Sequence, residues 1–178
     1  MTKPRAKLTE LEGAILGVFR LDPSCTAYRV RQIFLASQSA EWSGSAGAVY
    51  PAINRLEARG QIRSMPQTDK RGTCTYRLTR AGEAAHDRWL CDSDRAIGPG
   101  LDPFRTRAGF WSVLTAPKLR SLLLRLRRQI EMRRNQLLRE LPALDESDTI
   151  MVNLHIALQE LRLKWVEQHL KNIARSRQ

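Results

Sequence analysis

Apolar residues recur at helical spacing through most of the first 60 residues, which predicts three amphipathic helices. The first begins at a capping box, in which Thr9 and Glu12 satisfy each other's backbone amides. A hydroxyl residue, Ser24 or Thr26, caps the second helix. The third lies within residues 45–60, and its apolar face is formed by Val49, Ile53 and Leu56.

The period changes from helical to alternating after residue 60. Residues 62–65 and 73–78 alternate between apolar and polar side chains, which predicts two strands, and the Asp and Gly of the polar segment QTDKRG predict a turn between them. Thr79 caps a fourth helix. Three helices, a hairpin and a helix form the outline of a winged helix-turn-helix, in which the third helix enters the major groove of DNA.

The rest of the chain predicts a linker and two long helices. Residues 95–109 are rich in Gly and Pro and separate a winged helix-turn-helix domain, 1–94, from a helical domain, 110–178. The first long helix ends at Pro142. The last helix carries a heptad seam of Met151, Leu154, Leu158, Leu161 and Trp165. Its second apolar stripe is Ile156, Leu163 and Leu170.

A helix that is apolar on two sides contacts two neighbours. The preceding helix can cover one stripe of the last helix, and a second copy of the chain is the best candidate for the other. The predicted fold class is therefore mainly α with a small β-hairpin: an N-terminal winged helix-turn-helix and a C-terminal, coiled-coil-like dimerisation domain.

Charge narrows the choice of partner. The formal net charge is +12 and the isoelectric point is about 10.6, which favours a polyanion such as nucleic acid. Residues 95–178 contribute 16 basic and 8 acidic side chains, a net charge of +8. Five arginines of the first long helix are candidates for contacts with flanking phosphates, although a solvated helix face explains them equally well: Arg125, Arg127, Arg128, Arg133 and Arg134.

Several classes of protein and site are disfavoured by the sequence. It has no apolar run of about 18 residues, and its start lacks the apolar core of a signal peptide, so we expect a cytoplasmic protein that does not bind membranes. Three widely spaced cysteines are typical of reduced thiols. Without a phosphate-cradling Gly loop, a metal-spaced His or Cys cluster, or a nucleophile beside a base, we expect no enzymatic activity, metal or cofactor.

Two segments together resemble a known family. SAGAVYPAINRLEARGQI (45–62) and TYRLTRAG (75–82) resemble the N-terminal domain of PadR-type transcriptional regulators, whose signature is a Gly-x-[IVL]-Tyr-Pro-x-[IVL]-x-x-Leu-Glu helix and a Tyr-x-Leu-Thr-x-x-Gly wing exit. The matching residues are Gly47, Val49, Tyr50, Pro51, Ile53, Leu56, Glu57, Gly60, Tyr76, Leu78, Thr79 and Gly82. The long C-terminal part resembles the larger members of the family, in which helices after the winged domain make the dimer.

The resemblance implies which residues contact DNA. It places the Tyr50-Pro51 pair in the recognition helix, where Gly47 leaves the turn crowded by Pro51 without a side chain. Tyr50 and Ser45 are then candidates for phosphate contacts, and Asn54 or Arg55 for base edges. A ring partly buried against the second helix is the alternative role for Tyr50.

The tip of the predicted hairpin carries two further candidates. Lys70 and Arg71 are expected to contact the DNA backbone or the minor groove without sequence preference. The family's wing carries its basic pair just before the Tyr, whereas here 73–75 intervene.

The resulting hypothesis is a homodimeric, sequence-specific DNA-binding transcriptional regulator, a repressor by resemblance, with double-stranded DNA as its partner. A small aromatic effector could stack on Trp111 or Trp165, for which packing is the simpler explanation. The alternative function is a protein-interaction module that uses the winged domain and the basic C-terminal helices without specific DNA binding. Specific, salt-sensitive DNA binding distinguishes the two.

Overall fold

Helices and one hairpin make up almost all of the structure, a computed structural model that describes residues 7–37, 45–66, 74–98 and 102–175. The elements are α1 (Glu10–Leu21), α2 (Ala27–Leu35), α3 (Ala46–Ala58), β1 (Ile62–Pro66), β2 (Cys74–Leu78), α4 (Arg80–Leu90), α5 (Ser93–Ala96), α6 (Asp102–Phe110), α7 (Ala116–Glu140) and α8 (Glu146–Arg175). Short 3-10 turns follow α6 and α7. The predicted fold class, mainly α with a small hairpin, is confirmed.

The chain divides into two compact units. The winged unit comprises Met1–Cys91 and Thr106–Val113, and the helical unit comprises Asp92–Arg105 and Leu114–Gln178. The predicted linker, 95–109, contains most of α6. Pro103 does not prevent this helix, because it occupies the first turn, where proline is tolerated. Trp111, expected in the helical domain, groups with the winged unit.

Side-chain caps fix where the helices of the winged unit begin. Thr9 Oγ1 accepts a hydrogen bond from the Glu12 amide at 3.1 Å, and Glu12 Oε2 accepts one from the Thr9 amide at 3.1 Å, so the predicted capping box of α1 is present. Thr26, one of the two predicted candidates, caps α2, and Thr79 caps α4. These caps satisfy backbone amides in the first turn of each helix and so fix where α1, α2 and α4 begin.

The core of the winged unit surrounds α1. Its residues from Glu12 to Phe19 are all buried, and α1 contacts α3, α4 and β2. A buried arginine contributes as well: Arg107 is fully buried and donates two hydrogen bonds to Glu10, at 2.7 and 3.0 Å, and one to the Trp89 carbonyl at 3.0 Å. A buried guanidinium needs such partners, because an unpaired charge would be strongly destabilising in the core.

The hairpin pairs β1 and β2 antiparallel, with Ile62 opposite Leu78 and Ser64 opposite Tyr76. An isolated bridge between Thr26 and Thr75 joins the start of α2 to β2. The wing exit motif has a structural reason: the Thr79 hydroxyl donates to the Gly60 carbonyl at 2.6 Å, and a Cβ at Gly82 would overlap the Gln61 carbonyl oxygen. Threonine and glycine at these positions therefore allow α4 to start directly against the turn after α3.

The helical unit is built on a hairpin of α7 and α8. Its buried residues are Leu122, Leu123, Leu126, Ile130 and Leu137 from α7 and Ile156, Gln159, Arg162 and Val166 from α8. Arg162 donates to the carbonyls of Ile97 and Gly98 at 3.0 and 2.9 Å, and Gln159 donates to Ile97 at 3.1 Å. These polar side chains hold the segment after α5 against α8.

Candidate nucleic-acid interface

Four of the predicted DNA-binding residues share one exposed face of α3. Gly47, Tyr50, Pro51 and Asn54 follow one another at the i, i+3, i+4, i+7 spacing of a single helix face, and all four are exposed. Tyr50 is 38% exposed, so part of the residue is accessible to solvent and part is covered. We call these four residues the α3 strip. The opposite face is buried and consists of Val49, Ala52, Ile53 and Leu56.

Some backbone groups at the start of α3 have no hydrogen-bond partner within the helix. Pro51 lies inside the helix and has no amide hydrogen, so it cannot donate to the carbonyl of Gly47. The amides of Ala46 and Gly47 precede the first intrahelical hydrogen bond, which runs from Ala48 to Ser45. A Cβ at Gly47 would meet no atom of the described residues within 4 Å. The first turn of α3 therefore offers amide donors and open space, which suits a close approach by a phosphate.

Arg55 is not part of the α3 strip. Its Nε donates to Oε1 of Glu12 at 3.0 Å, and Arg59 Nη1 donates to Oε2 of the same carboxylate at 3.1 Å. The Glu12 side chain is 1% exposed, whereas that of Arg55 is 49% exposed. The structure thus brings together Gly47, Tyr50, Pro51 and Asn54, and directs Arg55 towards α1.

Glu12, predicted from the sequence as a capping-box residue of α1, also pairs with Arg55 and Arg59. Burial raises the pKa of its carboxyl, but the Thr9 amide and the guanidinium groups of Arg55 and Arg59 outweigh that effect and hold the pKa below its ordinary value. The carboxylate is therefore charged at neutral pH and fixes α3 against α1. The capping-box spacing indicated the local partner of Glu12, but it carried no signal for partners more than 40 residues away.

The remaining three predicted DNA-binding residues are Ser45, Lys70 and Arg71. Ser45 is exposed and is the N-cap residue of α3, beside the α3 strip. Lys70 and Arg71 lie outside the described residues, which end at Pro66 on one side of the hairpin tip and resume at Cys74 on the other. Their role stays a prediction.

The predicted dimerisation seam lies in the helical unit and is largely exposed within one chain. Met151, Leu154 and Leu161 are 69%, 63% and 60% exposed, and Leu158 is half-buried. Trp165 is also half-buried, since its ring packs edge-on against Phe104 and stacks on His169. The second stripe is different, because Ile156 is buried and Leu163 and Leu170 are half-buried. The second stripe is therefore partly covered within the chain, whereas three of the five seam residues are exposed.

Metal sites and membrane-spanning helices were also considered for the described residues, 7–37, 45–66, 74–98 and 102–175. Among 7–37, 45–66, 74–98 and 102–175, no three His, Cys, Asp or Glu side chains come together as metal ligands would. None of the helices in those ranges has the length and apolar character needed to cross a membrane.

A family model matches a large part of the winged unit. The model of the Transcriptional regulator PadR-like family matches residues 15–88, which span most of α1 to α4 and include the α3 strip. This part of the winged unit is therefore similar to the PadR-like transcriptional regulators. Members of this family are transcriptional regulators and not enzymes, in agreement with the expectation from the sequence.

Several solved structures are similar to most of the chain at low sequence identity. Bacillus subtilis PadR in complex with operator DNA is 20% identical, with 93% of this chain and 99% of that chain covered and a TM-score of 0.45. The same protein in complex with p-coumaric acid is 19% identical, with 93% and 99% covered and a TM-score of 0.42. The PadR-like regulator BC1756 from Bacillus cereus is 15% identical, with 96% and 99% covered and a TM-score of 0.40. No curated protein matches the chain.

Proposed function

We propose that this PadR-like protein is a homodimeric repressor that binds double-stranded DNA in a sequence-specific way through the α3 strip. The observation that carries this proposal is the convergence of Gly47, Tyr50, Pro51 and Asn54 on one exposed face of the helix that enters the major groove in winged helix-turn-helix proteins. An internal proline costs the helix a backbone hydrogen bond, and packing of the buried face gains nothing from it.

The residues of the α3 strip divide the work of recognition. The Tyr50 hydroxyl and the amides at the start of α3 suit phosphate oxygens, which fix the orientation of the helix on the duplex. The Asn54 side chain carries both a donor and an acceptor and suits an adenine edge, where one amide group can make two hydrogen bonds. Arg55, held by Glu12, is a less favourable base-reading residue than Asn54, because it would have to leave a buried carboxylate.

A homodimer is supported by the seam of α8. Exposed Met151, Leu154 and Leu161 repeat at heptad spacing on a 30-residue helix, and a second copy of the chain offers the same stripe. Two chains joined in this way carry two recognition helices, so that two half-sites bind more tightly than one. A dimer bound across a promoter would exclude RNA polymerase, which is how we expect repression to arise.

An aromatic effector would need an accessible aromatic ring to stack on. Trp111 is 3% exposed, and its Nε1 donates to the Leu90 carbonyl at 3.4 Å, so its ring has no free face for a ligand. Trp165, half-buried, is the remaining candidate. A fluorescence titration of wild type and Trp165→Phe with p-coumaric acid, the ligand named for Bacillus subtilis PadR, tests it.

The central experiment is selection of binding sites from random duplex DNA with the purified full chain, followed by anisotropy titrations on the selected sequence. Asn54→Ala should weaken binding by about 1 to 3 kcal/mol and relax the preference at one base pair. Tyr50→Phe, which removes only the hydroxyl, should weaken binding equally on all sequences. A matched control is Asn153→Ala, the same change at an exposed position of α8.

The outcomes separate the proposal from its alternative. Selection that yields no preferred sequence, with affinity unaffected by Asn54→Ala and Tyr50→Phe, would favour a protein-interaction module. A reporter placed behind the selected sequence gives the sign of regulation, because repression requires that transcription fall when the protein is supplied.

A further inference from the structure

The first half of α7 carries a cluster of basic side chains that the function proposed above does not use. Residues 116–130 contain no acidic side chain and five basic ones, all of them exposed: Lys118, Arg120, Arg125, Arg127 and Arg128. We call these five residues the α7 patch. The buried face of the same stretch is Leu122, Leu123, Leu126 and Ile130. The α7 patch thus surrounds the whole solvent side of about four helical turns.

Three arginines of the α7 patch have no ion pair among the residues that the structure describes. Among the residues that the structure describes, no carboxylate lies within salt-bridge distance of Arg120, Arg127 or Arg128. Elsewhere in the chain arginines have structural partners: Arg20 pairs with Asp87 at 2.6 Å, and Arg107 pairs with Glu10 at 2.7 Å. Like charges three or four residues apart on one helix, such as Arg125 and Arg128, also repel one another.

The chemistry of the α7 patch favours phosphates over a lipid surface. Four of the five side chains are arginines, whose planar guanidinium groups can donate two parallel hydrogen bonds to a phosphate. A helix that inserts into a membrane interface also exposes large apolar residues. On α7 such residues, Met132 and Leu138, occur only beyond the α7 patch.

We propose that the α7 patch binds the phosphate backbone of double-stranded DNA outside the sequence read by the α3 strip. This inference rests on the DNA binding proposed above. Lys118 and Arg128 lie about 15 Å apart along the helix axis, a distance over which one DNA strand presents about four phosphates. Contacts of this kind carry no sequence information, so they add affinity on any flanking DNA.

The expected size of the effect follows from counterion release. Each phosphate contact changes the slope of log affinity against log salt by about 0.9, which corresponds to about fivefold in affinity at 0.15 M salt relative to 1 M. Loss of two contacts should therefore lower affinity by about 25-fold and flatten the slope by about two.

The experiment uses the full chain and two duplexes. The short duplex is the selected binding sequence alone, and the long duplex adds about 10 base pairs, one helical turn, at each end. Arg120→Gln/Arg127→Gln and Arg125→Gln/Arg128→Gln remove two charges from either side of the patch. The matched control is Lys164→Gln/Lys171→Gln on α8, which removes two exposed charges at the seven-residue spacing of Arg120 and Arg127, each four residues after a glutamate.

The inference predicts that at least one arginine pair loses affinity and salt slope on the long duplex, and much less on the short one, while the lysine control changes neither. It is overturned if both pairs behave like the control, or if the loss is equal on the two duplexes. Circular dichroism establishes that each variant is folded. Failure of the wild type to prefer the selected sequence would instead contradict the proposed function, so the two failures are distinguishable.

Discussion

Arg55 Nε lies 3.0 Å from Oε1 of Glu12, a residue 43 positions earlier in the chain, and this ion pair joins α3 to α1. The carboxylate is almost fully buried, and Arg55 and Arg59 are its charged partners. Orientation of the α3 strip therefore depends on a buried charge on a different helix. Substitutions at Glu12 and Arg55 should consequently affect folding before they affect recognition.

Arg55→Ala should lower the free energy of unfolding by about 1 kcal/mol, although its side chain is half exposed. The buried carboxylate would lose one of two charged partners, and a buried group without its hydrogen bond is costly. Urea denaturation measures the change. Asn54→Ala, at the neighbouring exposed position, is the control and should cost less than about 0.5 kcal/mol. Equal stability of the two variants would mean that the ion pair contributes nothing.

Stability should fall as the pH is lowered from 6.5 to 4, because of His86. Burial, and then the nearby charge of Arg20, lower the pKa of this histidine to about 4. Arg20 Nη1 lies 3.3 Å from His86 Nδ1, a geometry in which a neutral ring accepts the hydrogen bond. Since the folded pKa is below that of the unfolded chain, the unfolded state binds the extra proton in this window, and up to about 3 kcal/mol is lost.

Urea midpoints at pH 7, 6 and 5 measure this dependence. His86→Phe keeps a ring between Trp89 and Phe110 but cannot titrate, so its stability should change less over the same range. His155→Gln provides a comparison, because burial lowers the pKa of this half-buried histidine too, within the helical unit. An unchanged pH dependence in His86→Phe would contradict the assignment.

Gly47→Ala should separate DNA binding from folding. The added methyl group would enter open space, so stability should be unchanged or rise by up to about 1 kcal/mol. DNA affinity should nevertheless fall by about 1 to 3 kcal/mol if the backbone at Gly47 lies against the duplex. Anisotropy titration and urea denaturation of the same variant give the two numbers.

Two other glycines are controls for Gly47→Ala. Gly109, in α6, also has open space at its Cβ position, so Gly109→Ala should leave DNA affinity unchanged. Gly82→Ala should do the reverse and destabilise the fold, because its methyl group would overlap the Gln61 carbonyl oxygen. Unaltered DNA affinity in Gly47→Ala would exclude a close approach at the start of α3.

The sequence predicted local features well because their causes are local. The capping box at Thr9, the cap at Thr79 and the strands on either side of the hairpin tip depend on residues a few positions apart. The exposed face of α3 follows in the same way from the 3.6-residue period.

What the sequence did not predict depends on distant residues. The partners of Glu12 lie on α3, and Arg107, in a segment interpreted as a linker, bonds to Glu10 from 97 positions away. An arginine or glutamate has the same local preference whether it is solvated or buried with a partner. The capping-box spacing therefore gave Glu12 a local role alone, and nothing in the sequence indicated that Arg55 pairs with it.

The exposed stripe of α8 provides the last prediction, that the protein is a dimer which Leu154→Glu/Leu161→Glu converts to monomers. Each leucine buried in an interface contributes about 1.5 kcal/mol or more, so two leucines from each of two chains account for about 6 kcal/mol. Light scattering at micromolar concentration should give about twice the chain mass of 20.4 kDa for the wild type and the single mass for the variant.

A control variant distinguishes loss of the seam from the general effect of added charge. Leu21→Glu/Leu35→Glu changes two leucines that are 54% and 51% exposed in the winged unit, and it should remain dimeric. The monomeric variant should also bind the selected DNA more weakly, because a single recognition helix loses the second half-site while its own contacts stay intact. A wild-type chain that is monomeric and folded at micromolar concentration would contradict the dimer, and undiminished DNA affinity in a monomeric variant would show that one winged unit is sufficient.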